Sequence, residues 1–388
     1  MIVNHLSLAD FRNYVSAEVA LVPGSNLFVG SNGQGKTNLV ESLGYLSTLG
    51  SHRVAVDHAL IRQGQESAVI RAKLEHSERQ LLAEVQINRS SANRAQINRS
   101  AIKPRELPRY FSSVLFAPED LMLIRGEPAG RRRFLDELTI LRFPRMARVF
   151  SDYDRVLRQR NSLLKTARST HGSLDKLGTL EIWDEQLIVL GSEIIEARTA
   201  LVDALDPEVA ASYIAIAGDD HQAILSTQLS IVGGDAEDET VSATGAQRGV
   251  MTAVEAAALF RAALDRSRRN ELDRGITLVG PHRDDLLLTL NGLPARGYAS
   301  HGESWSFALA LKLASALLLR RESATGDPVV MLDDVFAELD ESRRARLAEA
   351  VRDFDQVIIT AAVYDDVPPD LTGNTVQIAH GTIVDASA

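Results

Sequence analysis

The sequence contains no cysteine, few aromatic residues and no long apolar run, and each shortage removes a class of protein. Without cysteine, a disulfide framework and a thiolate metal site are excluded. Phe, Trp and Tyr make up only 5% of the chain, so base stacking on single strands has little support. No apolar run reaches the roughly 20 residues of a membrane span, and the first residues lack the features of a signal peptide. We therefore expect a cytoplasmic protein that does not enter membranes.

Positive charge is also in short supply. The formal net charge is −10, from 42 Lys and Arg against 52 Asp and Glu. Nucleic-acid binding usually goes with a basic domain, so this balance argues mildly against such a partner, although a local basic face remains compatible with it. The 45% of apolar residues among 388 is enough for one large core or for two domains.

Strand patterns occupy the first part of the chain. "HLSLADF" alternates, and "NLFVG" (26–30) is a short apolar run that ends in glycine before a helix pattern from Lys36 to Leu49. Two further alternating segments, "SAVIRAKLEH" and "QLLAEVQINR", lead to "INRSSANRAQINRS" (87–100). This segment repeats INRS across a polar turn, which is typical of a β-hairpin rather than of a repeat protein.

Helical spacing replaces the strand pattern near residue 119. Apolar residues recur every seven positions in one series through Val149 and Val156 and in another through Trp183 and Leu190. The segment between the two series, "TARSTHGSLDKLG", has the composition of a loop, so the pattern predicts two helices folded back on each other. A polar, acidic stretch at 233–245 predicts a mobile loop.

Strand patterns return towards the C-terminus. In "GITLVGPHRDDLLLTLNGLP" (275–294), two apolar runs flank a polar turn, and "QVIIT" is expected to be the final buried strand. Strand and helix units at both ends therefore enclose a helical middle. This order predicts an α/β fold in which a discontinuous head, residues 1–118 and 273–388, carries an inserted helical arm, residues 119–272.

A phosphate-binding loop follows the "NLFVG" strand. The segment matches G-x-x-x-x-G-K-[ST], with a predicted strand before it and a predicted helix after it. Its glycines let the backbone N–H groups turn towards phosphate oxygens, and the helix N-terminus adds a favourable dipole. Lys36 would reach the β and γ phosphates, and Thr37 would bind Mg²⁺. The residues expected to bind the nucleotide are Gly30, Ser31, Asn32, Gly33, Gln34, Gly35, Lys36 and Thr37.

A pair of carboxylates supplies the acids that a triphosphate site needs. The strand pattern in "VVMLDDVFAELD" ends in Asp333, which would hold Mg²⁺ through its water shell. Asp334 follows, where it would orient or deprotonate the attacking water. By itself this segment is equally compatible with a strand that ends in a solvated acidic turn. Together with the phosphate loop, it predicts Lys36, Asp333 and Asp334 as the catalytic set.

A small polar segment opens the helix just before the acid strand. In "YASHGESWSFALALKLASALLLR", hydroxyls, a glycine and a carboxylate precede a long apolar helix pattern. The order of phosphate loop, long insertion, S-x-G-[EQ] helix start, acid pair and E-L-D resembles the ABC-type ATPases. In those proteins this signature segment binds the γ-phosphate of ATP held by a second subunit, through free N–H groups at a helix N-terminus. The alternative is an ordinary core helix capped by Ser300 or Ser304.

Within the ABC-type ATPases, the chain resembles the RecF family, the relatives of the SMC proteins that act in DNA repair and replication. The resemblance spans nearly the whole length. It is carried by "LADFRNY" (8–14), "GSNGQGKTNLVES" (30–42), "FAPEDLMLIRGEPAGRRRFLD" (116–136), "GPHRDDL" (280–286), "YASHGE" (298–303) and "LDDVFAELD" (332–340).

The resemblance implies a two-lobed ABC-type head with a short helical arm. It also implies ATP and Mg²⁺ as cofactors, an ATP-dependent homodimer, slow hydrolysis, binding to duplex and gapped DNA, and work with RecO and RecR in loading RecA. By position, Ser300, Gly302 and Glu303 would act across the dimer, and Asp340 would lie at its seam.

Two positions depart from the pattern of many ABC-type ATPases. After the last core strand, "IITAAV" offers Thr360 where many of those proteins have a histidine. The position of the base is Asp334, where many relatives use the longer glutamate. Both departures suit a slow switch better than a fast motor, and "SWS" after Glu303 has no role that we can assign.

Candidate contacts to DNA phosphates are arginines and lysines, which would supply affinity that does not depend on base sequence. For each of them a solvated surface charge is the competing interpretation, and the triple arginine could instead pair with Glu127, Asp136 or Glu137. Arg12 could lie near the nucleotide or form a structural salt bridge. The main candidates are Arg53, Arg131, Arg132 and Arg133, followed by Arg89, Arg94, Arg99, Lys103 and Arg105.

Other P-loop proteins remain as alternatives. A transporter ATPase subunit shares all three nucleotide motifs, but the arm is a poor fit to a membrane-coupling surface. An SMC-like structural ATPase would need far longer arms. A P-loop kinase would need no signature segment from a second subunit. An ATP-gated protein that binds DNA fits the sequence best.

Overall fold

The structure is a computed structural model that describes residues 1–76, 79–169, 177–218, 221–233, 246–323 and 326–384. The strands are β1 (Ile2–Phe11), β2 (Tyr14–Ala20), β3 (Gly24–Val29), β4 (Ser67–His76), β5 (Arg79–Asn88), β6 (Arg94–Ile97), β7 (Ser100–Ile102), β8 (Ser113–Phe116), β9 (Ala223–Gln228), β10 (Ala246–Gln247), β11 (Asp285–Leu290), β12 (Leu293–Pro294), β13 (Val329–Asp333), β14 (Gln356–Ala361), β15 (Asn374–Ala379) and β16 (Thr382–Val384). The α-helices are α1 (Lys36–Thr48), α2 (Leu121–Arg125), α3 (Pro128–Arg142), α4 (Met146–Ser169), α5 (Leu177–Ala217), α6 (Ala253–Arg274), α7 (Ala295–Tyr298), α8 (His301–Glu322) and α9 (Glu341–Val351).

The chain divides into two units. The head unit comprises Met1–Met122, Ala211–His221 and Ser300–Ala388, and the arm unit comprises Leu123–Ala210 and Gln222–Ala299. The sequence pattern predicts a return to the head at residue 273, whereas the units divide at residue 300. The difference arises because β11 pairs with β9 along its whole length, in a sheet of order β10-β9-β11-β12 that belongs to the arm unit.

A largely parallel sheet positions the predicted nucleotide residues. Its order is β16-β15-β3-β14-β13-β8, and every neighbouring pair is parallel except β15 and β16. The phosphate loop follows β3 and the acid pair follows β13, with β14 between these two strands. Since the carboxyl ends of parallel strands meet at one edge, both segments lie at the same edge of the sheet, where open α/β sheets bind ligands.

A second, antiparallel sheet of order β2-β1-β4-β5-β6-β7 completes the head unit. Its alternating strands turn one face inward, and residues such as Leu6 and Ile70 share a hydrophobic core with Phe28, Leu43 and Met331 from the parallel sheet and α1. The expected hairpin within 87–100 is confirmed, because β5 pairs antiparallel with β6 and β6 with β7.

Helix α8, which follows the predicted signature segment, is a core element of the head unit. Of the described helices, only α8 has the length and composition of a membrane span, and 78% of its apolar window is buried inside the protein. The core helix of a soluble protein shows the same burial. Phe307, near its start, packs edge to face on Tyr213 with ring centroids 5.8 Å apart.

The helices of the arm unit pack around one apolar cluster. Helices α4 and α5 run antiparallel, as the seven-residue series predicted, since Arg145 pairs with Glu193 and Arg160 with Asp184. The sequence analysis did not identify α6, whose Phe260 joins the same cluster. Helix α4 continues to Ser169 and α5 begins at Leu177; residues 170–176 of the expected loop, and 234–245 of the expected mobile loop, lie outside the described residues.

One strand prediction is wrong and another is confirmed. The apolar run at 276–279 forms no strand, because side chains rather than a β-ladder take up its backbone groups: Asn161 accepts from Thr277 N and Glu271 accepts from Leu278 N, at 2.7 and 2.8 Å. The segment "QVIIT" is part of β14, which is fully buried and is the last such strand along the described chain. Strands β15 and β16 follow it but are only partly buried, and β15 pairs parallel with β3.

The arm unit contains a buried ionic cluster centred on Arg160, a side chain with no exposed surface. Its guanidinium donates to Asp184 at 2.7 Å, to Glu271 at 2.6 Å and to Thr277 at 2.8 Å. Glu271 is also fully buried. Asp184 also pairs with Arg268 at 3.0 Å, so removal of Arg160 would leave mainly Glu271 in the interior without its cation.

We expect Arg160→Ala to lower the free energy of unfolding by about 3–5 kcal/mol, the usual cost of breaking a buried pair. The matched control is Arg155→Ala on the same helix, because Arg155 is 65% exposed and pairs with the surface residue Asp152 one turn away; its loss should be about 0–1 kcal/mol. Urea denaturation measures both. Equal, small losses would contradict a central role for Arg160.

Candidate nucleotide-binding site

The phosphate loop curls around its own lysine. Helix α1 begins at Lys36, and the Lys36 ammonium donates to Gly30 O at 2.7 Å and to Ser31 O at 3.3 Å. The side chain is buried, whereas Ser31, Asn32 and Gly33 at the tip of the loop are exposed. The arrangement places a cation and the N-terminus of a helix at one point, which is how proteins bind phosphate.

Two glycines of the loop lie where no side chain fits. Gly35 has φ 115°, and a Cβ there would lie 2.7 Å from the hydroxyl of Tyr14. A Cβ on Gly30 would lie 2.2 Å from Ile378 O of strand β15. The glycine pattern of the motif therefore reflects both the curl of the loop and its close packing against β15.

Gln34 fixes the tip of the loop to the C-terminal hairpin. Its carbonyl accepts from Gly381 N at 3.1 Å and from Asn13 Nδ2 at 3.2 Å. Its side-chain Oε1 accepts from His380 N. The sequence analysis expected Gln34 to bind triphosphate, but here its side chain is engaged within the protein.

Asp333 is the centre of the site. Its Oδ1 accepts from Thr37 Oγ1 at 3.0 Å and from Thr360 Oγ1 at 2.6 Å, so it joins the phosphate loop to β14. Burial, together with the neighbouring charge of Asp334, raises the pKa of Asp333 to about 6. Burial disfavours the charged form of such a carboxylate, and a nearby cation would stabilise it.

Asp334 has an unusual backbone conformation. Its φ of 50° and ψ of 23° lie in the left-handed region, which residues other than glycine rarely adopt. Its N–H donates to Thr360 Oγ1 at 2.9 Å. Its Oδ1 is buried and has no hydrogen-bond partner in the described part of the chain.

The donor set fits the cofactors that the sequence predicts. A hydroxyl, Thr37, meets a carboxylate, Asp333, and the next residue, Asp334, has a buried carboxylate oxygen with no hydrogen-bond partner among the described residues. Mg²⁺ prefers such hard oxygen ligands. Thr37 and Asp333 would hold the ion beside a triphosphate in the loop. Among the described residues, no group of three or more His, Cys, Asp or Glu could bind a metal by itself, so the phosphates would have to complete the shell.

Several charged residues close to this centre escaped the sequence analysis. The charge of Glu119, just after β8, contributes to the raised pKa of Asp333. The next residue, Asp120, pairs with Lys312 of α8 at 3.0 Å. Burial lowers the pKa of His52 to about 4, against the opposing charges of Glu119 and Glu41. "FAPED" lies at the end of a strand next to β13, but only the sheet order places it beside the acid pair.

Arg12 forms a structural salt bridge, one of its two predicted roles. Its guanidinium donates to both carboxylate oxygens of Glu41, at 2.8 and 2.6 Å. Although burial opposes the effect, hydrogen bonds from Arg12 and Ser51 hold the pKa of Glu41 below its ordinary value. Arg12 thereby holds α1 against the turn that follows β1.

The signature segment starts α8 with a capping box. Ser300 is the N-cap: Ser300 Oγ accepts from Glu303 N at 3.3 Å, and Glu303 Oε2 accepts from Ser300 N at 2.7 Å. Hydrogen bonds from Ser300 also lower the pKa of Glu303. The expected alternative, an N-capped core helix, is thus present within the chain, while Ser300 itself stays exposed.

Neighbouring side chains of the head unit surround this helix start. A Cβ on Gly302 would lie 3.1 Å from Nη1 of Arg343, so the arginine packs directly on the glycine. The same Nη1 donates to Asp340 Oδ2 at 3.0 Å. Asp340 caps α9 by accepting from Arg343 N at 2.9 Å. Arg343 therefore connects the predicted seam residue, Asp340, to the signature segment.

The arginines predicted to contact DNA fall into two groups. Arg53 is exposed, and it donates to Asn38 Oδ1 at 3.1 Å. Arg131 is buried and donates through two nitrogens to Asp285, at 2.7 Å each. Arg132 donates to Asp284 O at 2.8 Å, and Arg133 pairs with Glu137 one turn along α3.

Arg131 and Arg133 therefore form ion pairs within the arm unit, the alternative kept open above. Arg133 pairs with Glu137, one of the expected acids, whereas Arg131 pairs with Asp285 of "GPHRDD" and Arg132 bonds a backbone carbonyl there. From its buried position Arg131 cannot reach a phosphate. Burial also raises the pKa of Asp284 to about 6, although Ser230 donates to that carboxylate from both its N–H and its hydroxyl.

Comparison with known proteins places this geometry in a family. The family of the RecF/RecN/SMC N terminal domain matches residues 2–367. The DNA replication and repair protein RecF of Clavibacter michiganensis subsp. michiganensis is 66% identical, over 100% of this chain and 97% of that protein. RecF of Leifsonia xyli subsp. xyli is 62% identical, over 100% of both chains.

A solved structure shares the fold. The recombination mediator protein RecF-ATPrS of the RecFOR pathway superposes with a TM-score of 0.85 and 27% identity, over 98% of this chain and 97% of that chain. The α/β head with an ABC-type ATPase fold is thus established, and that fold supports nucleotide binding. The chain belongs to the RecF family of DNA replication and repair proteins.

Proposed function

We propose that this protein is an ATP-dependent DNA-binding switch of recombinational repair and replication restart. In this proposal it dimerises on ATP, binds duplex and gapped DNA, and hydrolyses ATP slowly. One observation carries the proposal: Thr37 of the phosphate loop and Asp333 of the acid pair, which lie almost at opposite ends of the sequence, are joined at 3.0 Å. A glycine loop that matched the motif by chance would not be expected to contact a buried carboxylate.

The residues at this edge of the parallel sheet would have different roles in binding and hydrolysing ATP. The loop N–H groups and Lys36 would bind the triphosphate, and Thr37 and Asp333 would hold Mg²⁺, which neutralises the developing phosphate charge. Asp334, with a buried and unpartnered Oδ1, would orient the attacking water. Its carboxylate is shorter than a glutamate, which suits slow turnover.

The signature segment would complete the site of a second copy. Ser300 is exposed at the N-terminus of α8, a helix of 22 residues. The phosphate loop of the same chain already has its own cation, Lys36, and its own helix N-terminus, that of α1. We therefore assign Ser300, Gly302 and Glu303 to the γ-phosphate held by the partner, and Asp340 to the seam between the subunits.

The partners follow from the relatives. The relatives are named DNA replication and repair proteins, and the solved relative belongs to the RecFOR pathway. We extend this to the present chain: it would act in the cytoplasm, bind gapped DNA with RecO and RecR as partners, and assist the loading of RecA. DNA would stimulate its weak ATPase activity.

The trans assignment has a direct test in Ser300→Arg. A bulky side chain should block the approach of the γ-phosphate and abolish ATP-dependent dimerisation, while monomers still bind ATP. The matched control is Thr252→Arg, which removes the cap of another capping box, that of α6, and should leave dimerisation intact. Size analysis with ATP and nucleotide titration of monomers measure both. Loss of ATP binding by Ser300→Arg monomers would show that the segment acts within its own subunit.

A mixture of variants sharpens this test. Lys36→Met removes the charge at the β and γ phosphates and should abolish ATP-dependent dimerisation by itself. In a mixed dimer with Ser300→Arg, one pocket carries both defects and the other carries none. The mixture should recover ATPase activity that neither variant shows alone. A mixture as inactive as its components would argue against shared pockets.

We expect Asp334→Asn to retain ATP binding and to slow hydrolysis about 100-fold, within the range of a lost general base. The phosphate cradle does not involve this side chain, so the variant should accumulate as an ATP-bound dimer on DNA. Single-turnover hydrolysis and size analysis with gapped DNA measure the two effects. Unchanged turnover would make Asp334 a strand-end acid without a role in the reaction.

DNA affinity should fall steeply with salt and depend little on base sequence, because phosphate contacts release counterions. Replacing the exposed Arg53 by alanine should reduce the slope of log K against log salt by about 1. Arg131→Ala should instead destabilise the arm unit and leave that slope unchanged in the folded fraction, since Arg131 is buried. The reverse pattern would restore the triple arginine as a DNA contact.

A further inference from the structure

Thr360 lies near the end of the core strand β14, where the sequence pattern of many ABC-type ATPases would lead one to expect a histidine. It lies on β14 between the two functional strands: in register it faces Asp333 of β13 on one side and Phe28 of β3 on the other. The residue is completely buried. Its location alone is compatible with either of two roles, contact with the γ-phosphate or support of the acid pair.

The hydrogen bonds decide between these roles. A hydroxyl has one proton to donate, and Thr360 Oγ1 donates it to Asp333 Oδ1 at 2.6 Å. The same oxygen accepts from Asp334 N at 2.9 Å, and Asp334 N is also 3.3 Å from Thr360 O. The only proton of the hydroxyl is thus committed to Asp333, so it has none to donate to a phosphate, and the buried side chain has no exposed surface from which to touch one.

The bond to Asp334 N has a further consequence for the backbone. Asp334 holds φ 50°, a strained conformation for a non-glycine residue, and such conformations persist only where the surroundings hold them. Thr360 provides that support. It fixes the peptide from which the Asp334 carboxylate projects, and it fixes Asp333 Oδ1 towards Thr37.

We propose that Thr360 is a positioning residue for ATP hydrolysis: it orients Asp334 through the backbone N–H and Asp333 through its Oδ1, and it does not sense the γ-phosphate. This inference rests on the ATPase activity proposed above. It assigns to a single buried hydroxyl the alignment of the metal-side acid with the water-side acid.

The test compares three variants in steady-state ATP hydrolysis with Mg²⁺ and DNA. Thr360→Val keeps the shape and removes both hydrogen bonds, and we expect kcat to fall about 10- to 100-fold, as for other misplaced catalytic groups, with the Kd for ATP unchanged within about threefold. Thr360→Ser keeps the hydroxyl and should retain kcat within about threefold of the original chain. Ser315→Ala, which removes another buried hydroxyl of the head unit that bonds Leu311 O, is the control and should change nothing.

The same variants give the results that would overturn the proposal. A Thr360→Val protein that loses ATP affinity and keeps kcat would make Thr360 a phosphate contact. A Thr360→Ser protein whose kcat falls more than about tenfold would show that the hydroxyl is not the group that matters. This second arm decides the question even where Thr360→Val yields no folded protein.

A double variant tests whether Thr360 acts through Asp334. In the Asp334→Asn background, Thr360→Val should cause little further loss of kcat, because the group that it positions is already disabled. Independent, multiplicative losses would oppose the proposal. Lys36→Met distinguishes failure of the proposed function from failure of this inference. If Lys36→Met retains hydrolysis, the proposed ATPase function fails. If Lys36→Met loses hydrolysis and Thr360→Val does not, only the positioning role of Thr360 fails.

Discussion

The hydrogen bonds that meet on Asp333 Oδ1 hold the site together. Thr37 and Thr360 both donate to this one oxygen, and they come from the start of α1 and from the end of β14. The phosphate loop, the middle strand and the acid strand are thereby fixed at one point. Movement of any one of these elements would break a bond to the other two.

This arrangement requires the strand order of the head unit. With β14 between β3 and β13, a side chain at the end of β14 reaches the acid strand on one side, and the loop after β3 passes over it from the other. An adjacent β3 and β13 would leave no position for Thr360. The environment is electrostatically costly, because burial and the charge of Asp334 raise the pKa of Asp333 to about 6. A cation bound at this carboxylate would relieve that cost by stabilising its charged form.

The sequence predicts the contacts that depend on short segments and misses those that depend on topology. The phosphate loop, the acid pair and the capping box each lie within a few consecutive residues, whose geometry follows from local rules for glycine turns, strand ends and helix caps. The partner of Arg131 lies on a strand of the arm unit far along the chain, and no spacing rule connects them. The engagement of Gln34 with the 380–381 turn likewise depends on β15 pairing with β3.

The hydrogen bonds of the backbone explain why residues 276–279 do not form a strand. A strand pattern in a sequence records apolar side chains, but it does not record which groups will take up the N–H and C=O groups of the segment. In the run at 276–279, the side chains of Asn161 and Glu271 accept from two of the backbone N–H groups. Asn161 is next to Arg160 on α4, and Glu271 on α6 pairs with Arg160. The same packing around Arg160 therefore accounts for both the ionic cluster and the absence of a strand at 276–279.

The two interpretations of the signature segment are compatible with each other. The capping box engages the N–H groups of Ser300 and Glu303 within the chain, and it leaves those of His301 and Gly302 in the first turn of α8. Such groups at a helix N-terminus are what a phosphate binds. Gly302 also lacks the side chain that would displace Arg343, so the cation stays beside the helix start. A cation at the positive end of a helix is unfavourable in isolation. Its cost is offset here by Asp340 and Glu303, and an anion arriving from a second subunit would offset it further.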